Sequence, residues 1–232
     1  MISSAIAQLA SGLLTSYSRR RRRRVADVVA SPVASRPAGA HDSSVLPAAH
    51  VHIVQLFDAP RSLADAVSHF LIEGRAHGDH LLVIARASHW QLIRAYLERR
   101  RVNADDPAER LTVIDARKIR TRLVRRGLLD PARMQDTLDG LIAELSSGPS
   151  RLRVYGEIVE LFAEEGNFEQ ACMLEDYWNY LQQQHAFTLL CGYSAAHFAD
   201  PRNAHHLRAV CGRHTLVKSQ SADSLGSWLI AH

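Results

Sequence analysis

Five short, almost unbroken apolar runs constrain what this chain can fold into: VHIVQLF (51–57), LLVIA (81–85), LTVID (111–115), RLRVY (151–155) and FTLLCGY (187–193). Each has the length of a strand, and apolar character without alternation suits strands covered on both faces. The segments between them carry apolar residues three and four apart. Leu63, Ala66, Val67, Phe70 and Leu71 share one helical face, as do Leu92, Ile93, Tyr96 and Leu97, and then Met134, Leu138, Leu141, Ile142 and Leu145. Strands alternating with helices require right-handed crossovers and a parallel sheet. The expected fold class is α/β, a three-layer sandwich around a mainly parallel sheet of about five or more strands.

Local signals place the boundaries. Ser62 is expected to start the first helix with Asp65 as capping-box partner, Gly78 to end it, and Ser88 to cap the next. Asp130 with Pro131 opens a later helix, and KIRTRLVRRG (118–127) is a basic helix or loop. A short helix IVELFAEE (158–165) and a longer one from about 168 to 184, starting after Gly166 and Asn167, precede the fifth strand. Residues 203–212 and 221–230 read as closing helices, with HTLVK (214–218) an edge strand between them.

The division expected is a disordered basic tail and linker over 1–49, a main domain over 50–200, and a helical extension over 201–232. Residues 2–17 have the pattern of a short amphipathic helix. The net charge of +4 suggests nucleic acid at first sight, yet seven of the 28 Lys and Arg precede residue 51, six of them consecutive: Arg19, Arg20, Arg21, Arg22, Arg23 and Arg24. The remainder is close to neutral. Any contact with nucleic acid or anionic lipid would therefore run through that tail. The apolar stretch MISSAIAQLASGLLTSYS comes before the arginines, the reverse of a secretory signal, and no run approaches the roughly 18 apolar residues of a membrane span. Cys172, Cys191 and Cys211 form no C-x-x-C pair, which fits free thiols in a reducing compartment, the cytoplasm.

Ligands of open parallel sheets collect beyond the carboxyl ends of the strands. Glu157 falls there, after the fourth strand, with Gly156 before it to permit close approach. Its carboxylate either receives a ligand or caps its own helix. His50 and His52 put two imidazoles on one strand face, but no third ligand is identifiable and no metal site is assigned. Cys211 and His214 have C-x-x-H spacing without a second pair. Leu174, Trp178 and Leu181 form a core stripe, with Glu175 and Asn179 a polar pair beside it that either bond each other or face a pocket. Cys191 and Tyr193 lie on one side of the fifth strand near the crevice, where inert packing is the simpler role for the thiol. The chain lacks G-x-S-x-G and a G-x-G-x-x-G after a strand. At the first strand-to-helix turn, QLFDAPRSLADAV, it also lacks the glycines and Lys-Ser/Thr that cradle phosphate. Conventional ATP hydrolysis is not expected, no cofactor is called for, and no catalytic residue is assigned.

VHIVQLFD followed by SLADAVSHFLIEGRAHGDHLLVIA, then RVYGEIVELFAEEGNFEQACMLEDYWNYL and FTLLCGYSAAHF, resembles the MEDS domain, the DcmR-like sensory domain of methanogens and methylotrophs. The resemblance runs from about residue 50 to 198. The helix end before the second strand is also similar to KaiC and RecA-like ATPases, to which that family is related without their phosphate loop. It implies a non-catalytic cytoplasmic input domain that binds a small, hydrocarbon-derived ligand and controls a histidine kinase or a transcription output. Family motif positions fall on His52, Glu157, Trp178, Asn179, Cys191 and Tyr193, and the resemblance tips Glu157 towards the pocket. The ligand set expected is His52, Gln55, Phe57, Glu157, Asn179, Cys191 and Tyr193. The 34 residues after 198 are too few for an output domain, so the effector is expected on a partner. The alternatives are a KaiC-like nucleotide-binding protein with an unusual phosphate site, and a nucleic-acid accessory protein acting through the arginine tail.

Overall fold

The computed structural model describes residues 51–219. The arginine run, the expected amphipathic helix at 2–17 and the expected helix at 221–230 lie outside them. Six parallel strands form the central sheet in the order β3-β2-β6-β7-β1-β8: β1 His52–Phe57, β2 His80–Ala85, β3 Leu111–Asp115, β6 Leu152–Gly156, β7 Phe187–Ser194 and β8 Leu216–Ser219. The first five coincide with the apolar runs, and β8 is the expected edge strand, paired in parallel with β1. A two-stranded hairpin, β4 Val124–Arg125 with β5 Leu128–Leu129, turns through Arg126 and Gly127, both with positive φ.

Strand order dictates where the helices go. The chain steps from β1 to β2 to β3 in one direction across the sheet, then returns through β6 and β7 to β8. With every crossover right-handed, the two directions must use opposite faces. One face is accordingly covered by α1 Pro60–Ala76 and α2 Ala87–Arg99, which pack Leu63, Val67, Leu71, Ile93 and Leu97 against Ile53, Val83 and Leu190. The other carries α3 Ala116–Leu123, α4 over 131–146, α5 Ile158–Glu164, α6 Phe168–Gln184 and α7 Ala204–Cys211, packed on Val54, Ile84, Val154 and Leu189. Alternate residues of β1 serve opposite faces, as the two-residue period of a strand requires.

Several caps differ from expectation. Helix α1 begins two residues earlier than Ser62, because Pro60 fits the first helical position, where an N–H is not needed. Ser62 reaches back instead: its Oγ donates to the Ala59 carbonyl and accepts from the Ala59 N–H. Asp65 pairs with Arg100 at 2.8 Å rather than closing a capping box. Helix α2 is capped at Arg86, not Ser88. Gly78 (φ +74°) ends the α1 turn, and Asp130 accepts from the N–H groups of Ala132 and Arg133. The basic segment 118–127 divides between α3 and the hairpin. Within α4, Gln135–Asp139 form a π-helical turn, and Met134, Leu138 and Ile142 are buried while Leu141 and Leu145 are only partly so.

Candidate functional site

Besides the Arg153–Asp79 pair at the amino ends of the strands, two gatherings of buried polar groups stand out among the described residues. The first is at the carboxyl ends of β2 and β6. These strands are neighbours, but their following helices go to opposite faces, so the sheet opens between them, the position where ligands of such folds bind. Glu157 follows β6 here, fully buried, and its N–H extends the ladder to the Ile84 carbonyl at 2.9 Å. It occupies the N-cap position of α5 without capping it. Four donors converge on its carboxylate. The Tyr155 hydroxyl (2.8 Å) and His89 Nδ1 (2.9 Å) donate to Oε1, and the Arg86 main-chain N–H (3.0 Å) and Nε (3.2 Å) donate to Oε2. Burial, and then the adjacent Glu157 charge, push the Tyr155 hydroxyl well above its ordinary pKa, so it remains a donor.

Arg86 Nη1 continues to Glu164, while Nη2 is buried without a hydrogen-bond partner among the described residues. Phe57, at the end of β1, meets His89 edge-on at 6.0 Å between ring centroids. No described protein atom approaches Gly156 closely: a methyl group placed on it would find none within 4 Å. Close approach belongs to Gly192, where a Cβ would come within 3.2 Å of Leu63 Cδ1 and the Tyr155 hydroxyl. Next along the rim, buried Glu160 of α5 accepts from the Ser194 N–H (3.1 Å) and from His197 Nε2 (2.9 Å).

The second place lies on the α6 side of the sheet. His52 of β1, Cys191 and Tyr193 of β7, Glu175 and Asn179 of α6, and His214 of the α7–β8 connection are all buried there. Glu175 is at the centre. Its Oε2 lies 3.1 Å from His52 Nε2 and 3.4 Å from Cys191 Sγ, and its Oε1 accepts from the Tyr193 hydroxyl at 2.9 Å and lies 3.4 Å from His214 Nε2. His52 Nε2 is 3.4 Å from Cys191 Sγ, and the two imidazoles sit 4.1 Å apart. Burial lowers the His52 pKa despite the neighbouring carboxylate. Burial alone would raise Glu175, but His214 and His52 hold it well below the usual carboxylate range. Burial pushes the Cys191 thiol and the Tyr193 hydroxyl far up, with the Glu175 charge adding to it.

The structure thus brings His52, Asn179, Cys191 and Tyr193 of the expected set into one cluster, and places Glu157 and Phe57 in the other. Gln55 is buried on the α1 side of β1, where its amide donates to the Leu56 carbonyl at 3.0 Å. Trp178 is core, edge-on to Phe187. Glu175 and Asn179 interact through the main chain, Asn179 Nδ2 donating to the Glu175 carbonyl at 3.0 Å, while both side chains face the cluster. Sequence reasoning missed Arg86, His89 and the part played by His214. A buried Glu at a strand end demands donors, but only the strand order shows that Arg86 and His89, at the start of the helix after β2, supply them.

The geometry defines a class: an open parallel α/β domain with polar groups enclosed at a strand-end opening and beneath one covering helix. The family model for MEDS, described as the methanogen/methylotroph, DcmR sensory domain, matches residues 51–214, and the chain belongs to that family of sensory domains. No curated protein matches the chain. Among the described residues no helix is long and apolar enough to cross a membrane.

Proposed function

We propose that this domain is a non-catalytic sensor in which a small ligand enters the opening between β2 and β6 and is bound by Arg86, Glu157, His89 and Phe57. The observation that carries this reading is the buried, unpartnered Arg86 Nη2, since a buried cationic donor without an acceptor is costly unless something supplies one. A compact hydrocarbon derivative bearing one acceptor atom satisfies Arg86 and rests its apolar part on Phe57. Glu157 leads directly into α5 and α6, so a ligand that rearranges its bonds biases the helix carrying Glu175 and Asn179, and a partner kinase or transcription regulator reads the change.

The turn from β1 into α1 favours this over nucleotide binding. Pro60 has no N–H to offer a phosphate, Ser62 occupies the Ala59 N–H, and Asp58 adds negative charge. Thermal-shift screening with short-chain alcohols, acids and halides tests the proposal. Compounds that stabilise the parent should lose their effect in Arg86→Gln, and ATP with magnesium should stabilise neither. Hits that act equally on folded Arg86→Gln and Glu157→Gln would show that the opening is not the receptor.

A further inference from the structure

Hydrogen bonds orient both histidines of the cluster around Glu175, His52 and His214. His214 Nδ1 lies 2.8 Å from the Val210 carbonyl and carries a proton towards it. Asn179 Nδ2 donates to the carbonyls of Glu175 and Arg213, both at 3.0 Å, which makes its Oδ1 an acceptor. His52 Nδ1, 3.2 Å from that oxygen, is therefore the protonated nitrogen of its ring. Each Nε2 faces the Glu175 carboxylate, donating to it when its ring is protonated and offering a lone pair when the ring is neutral. The Cys191 thiol lies 3.4 Å from both Glu175 Oε2 and His52 Nε2. Among the described residues His214 Nε2 is left buried with no hydrogen-bond partner although Glu175 Oε1 is 3.4 Å away.

We propose that His52 Nε2, Glu175, Cys191 Sγ and His214 Nε2 bind a single divalent transition-metal ion of the zinc type. One ligand atom from each residue lies within 4.8 Å of all the others. Metal–ligand bonds of about 2.0–2.3 Å in a tetrahedron separate neighbouring ligand atoms by about 3.3–3.7 Å. His52 Nε2, Glu175 Oε2 and Cys191 Sγ already stand 3.1–3.4 Å from one another, and His214 Nε2, 3.4 Å from Glu175 Oε1 and within 4.8 Å of the other ligand atoms, closes in to complete the shell. Binding releases the Cys191 proton to solvent. Thiolate and carboxylate then cancel the ion's two positive charges, so the buried site is neutral overall.

Each of three ligands already has the outer hydrogen bond that orients metal-binding groups: His214 to Val210, His52 to Asn179, and Glu175 from Tyr193. Thiolate with two imidazoles favours zinc-like ions over magnesium or calcium, and four protein ligands complete a tetrahedral shell without an open position for substrate. The ion acts as a clasp. His52 and His214 lie at opposite ends of the family match, and Thr215 already laces them together through its N–H to the His52 carbonyl (2.7 Å) and its Oγ1 accepting from the His52 N–H (2.8 Å). Binding holds the α7–β8 connection to β1 and α6.

The full chain, stripped with a chelator and titrated with Co²⁺, should take up one equivalent and show the visible bands of tetrahedral cobalt together with a near-ultraviolet thiolate-to-cobalt band. Zn²⁺ should displace it. Cys191→Ser should lose the thiolate band and His214→Gln should bind about tenfold or more weakly, whereas Cys172→Ser and Cys211→Ser keep both properties. Failure of the parent to take up cobalt, uptake without a thiolate band as from exposed histidines, or a band that survives in Cys191→Ser would each overturn the assignment. The parent and the Cys172 and Cys211 variants decide the matter even if a variant in the cluster does not fold. A positive or negative result here leaves the Arg86 receptor untouched, because the two sites share no residue.

Discussion

Replacing Glu157 by glutamine keeps the shape of the side chain and removes half its accepting capacity. The parent carboxylate takes four hydrogen bonds, two on each oxygen. A glutamine that keeps its carbonyl on Tyr155 and His89 confronts two Arg86 N–H donors with its NH₂, and one that turns its carbonyl to Arg86 keeps its bonds only if the Tyr155 hydroxyl rotates and His89 changes tautomer, both to accept. Leaving buried donors unsatisfied costs about 1–3 kcal/mol apiece, and breaking a buried charged pair costs about 3–5 kcal/mol in total. We expect Glu157→Gln to lose about 3–5 kcal/mol. At about 2–4 °C per kcal/mol for a domain of this size, Tm falls by roughly 6–20 °C. Urea unfolding followed by circular dichroism measures the first figure and calorimetry the second. Tyr155→Phe removes one donor only and should cost about 1 kcal/mol. On that background Glu157→Gln should cost less than on the parent, since one of those rearrangements has gone. A Tm within 2 °C of the parent, or strictly additive losses in the double variant, would refute the four-donor account.

Gly74→Ala in α1 would set a methyl group 2.5 Å from Arg153 Cδ and 2.8 Å from Leu81 Cδ2, while Arg153 is held by Asp79 and the Phe70 carbonyl. A loss of about 1–3 kcal/mol in urea unfolding is expected despite the better helix propensity of alanine. The hydrogen bond to Glu160 raises the His197 pKa in the fold, outweighing burial, so the stability it contributes is fully present below the unfolded value near 6.5 and fades as pH rises through the folded pKa. Urea midpoints of the parent and His197→Gln should differ more at acid than at alkaline pH, and parallel pH profiles would contradict this. Burial pushes the Cys211 thiol up to about 11, leaving roughly a hundredfold or more less thiolate at pH 8 than a free cysteine has. It should react slowly with Ellman's reagent until guanidinium unfolds the chain, and rapid native labelling of the half-buried Cys211 in a Cys172→Ser variant would argue against a raised thiol pKa.

The strands were legible because strands covered on both faces are continuous apolar runs, and the alternation with helices gave the parallel sheet. Helix starts were less so: Ser62 and Ser88 look like caps, but Pro60 draws α1 earlier and Arg86 takes the cap of α2 under the control of a distant carboxylate. Glu157 stood out from its position, whereas its donors Arg86 and His89 come from the neighbour of β6, and neighbourhood is a property of sheet order. His214 was set aside for want of a matching C-x-x-H pair. Its companions, His52, Glu175 and Cys191, arrive from three separate elements, and spacing rules see only ligands that lie close along the chain.

The lacing of His52 with Thr215 sets the first and last strands side by side, so the start of the domain and its closing strand are separated by little more than the length of β8, about 13 Å. A circularly permuted chain follows from that. Joining residue 219 to 51 through a handful of glycines and serines and reopening the backbone at Arg126–Gly127, the tip of the hairpin, should preserve the sheet, both buried polar groups and cooperative unfolding.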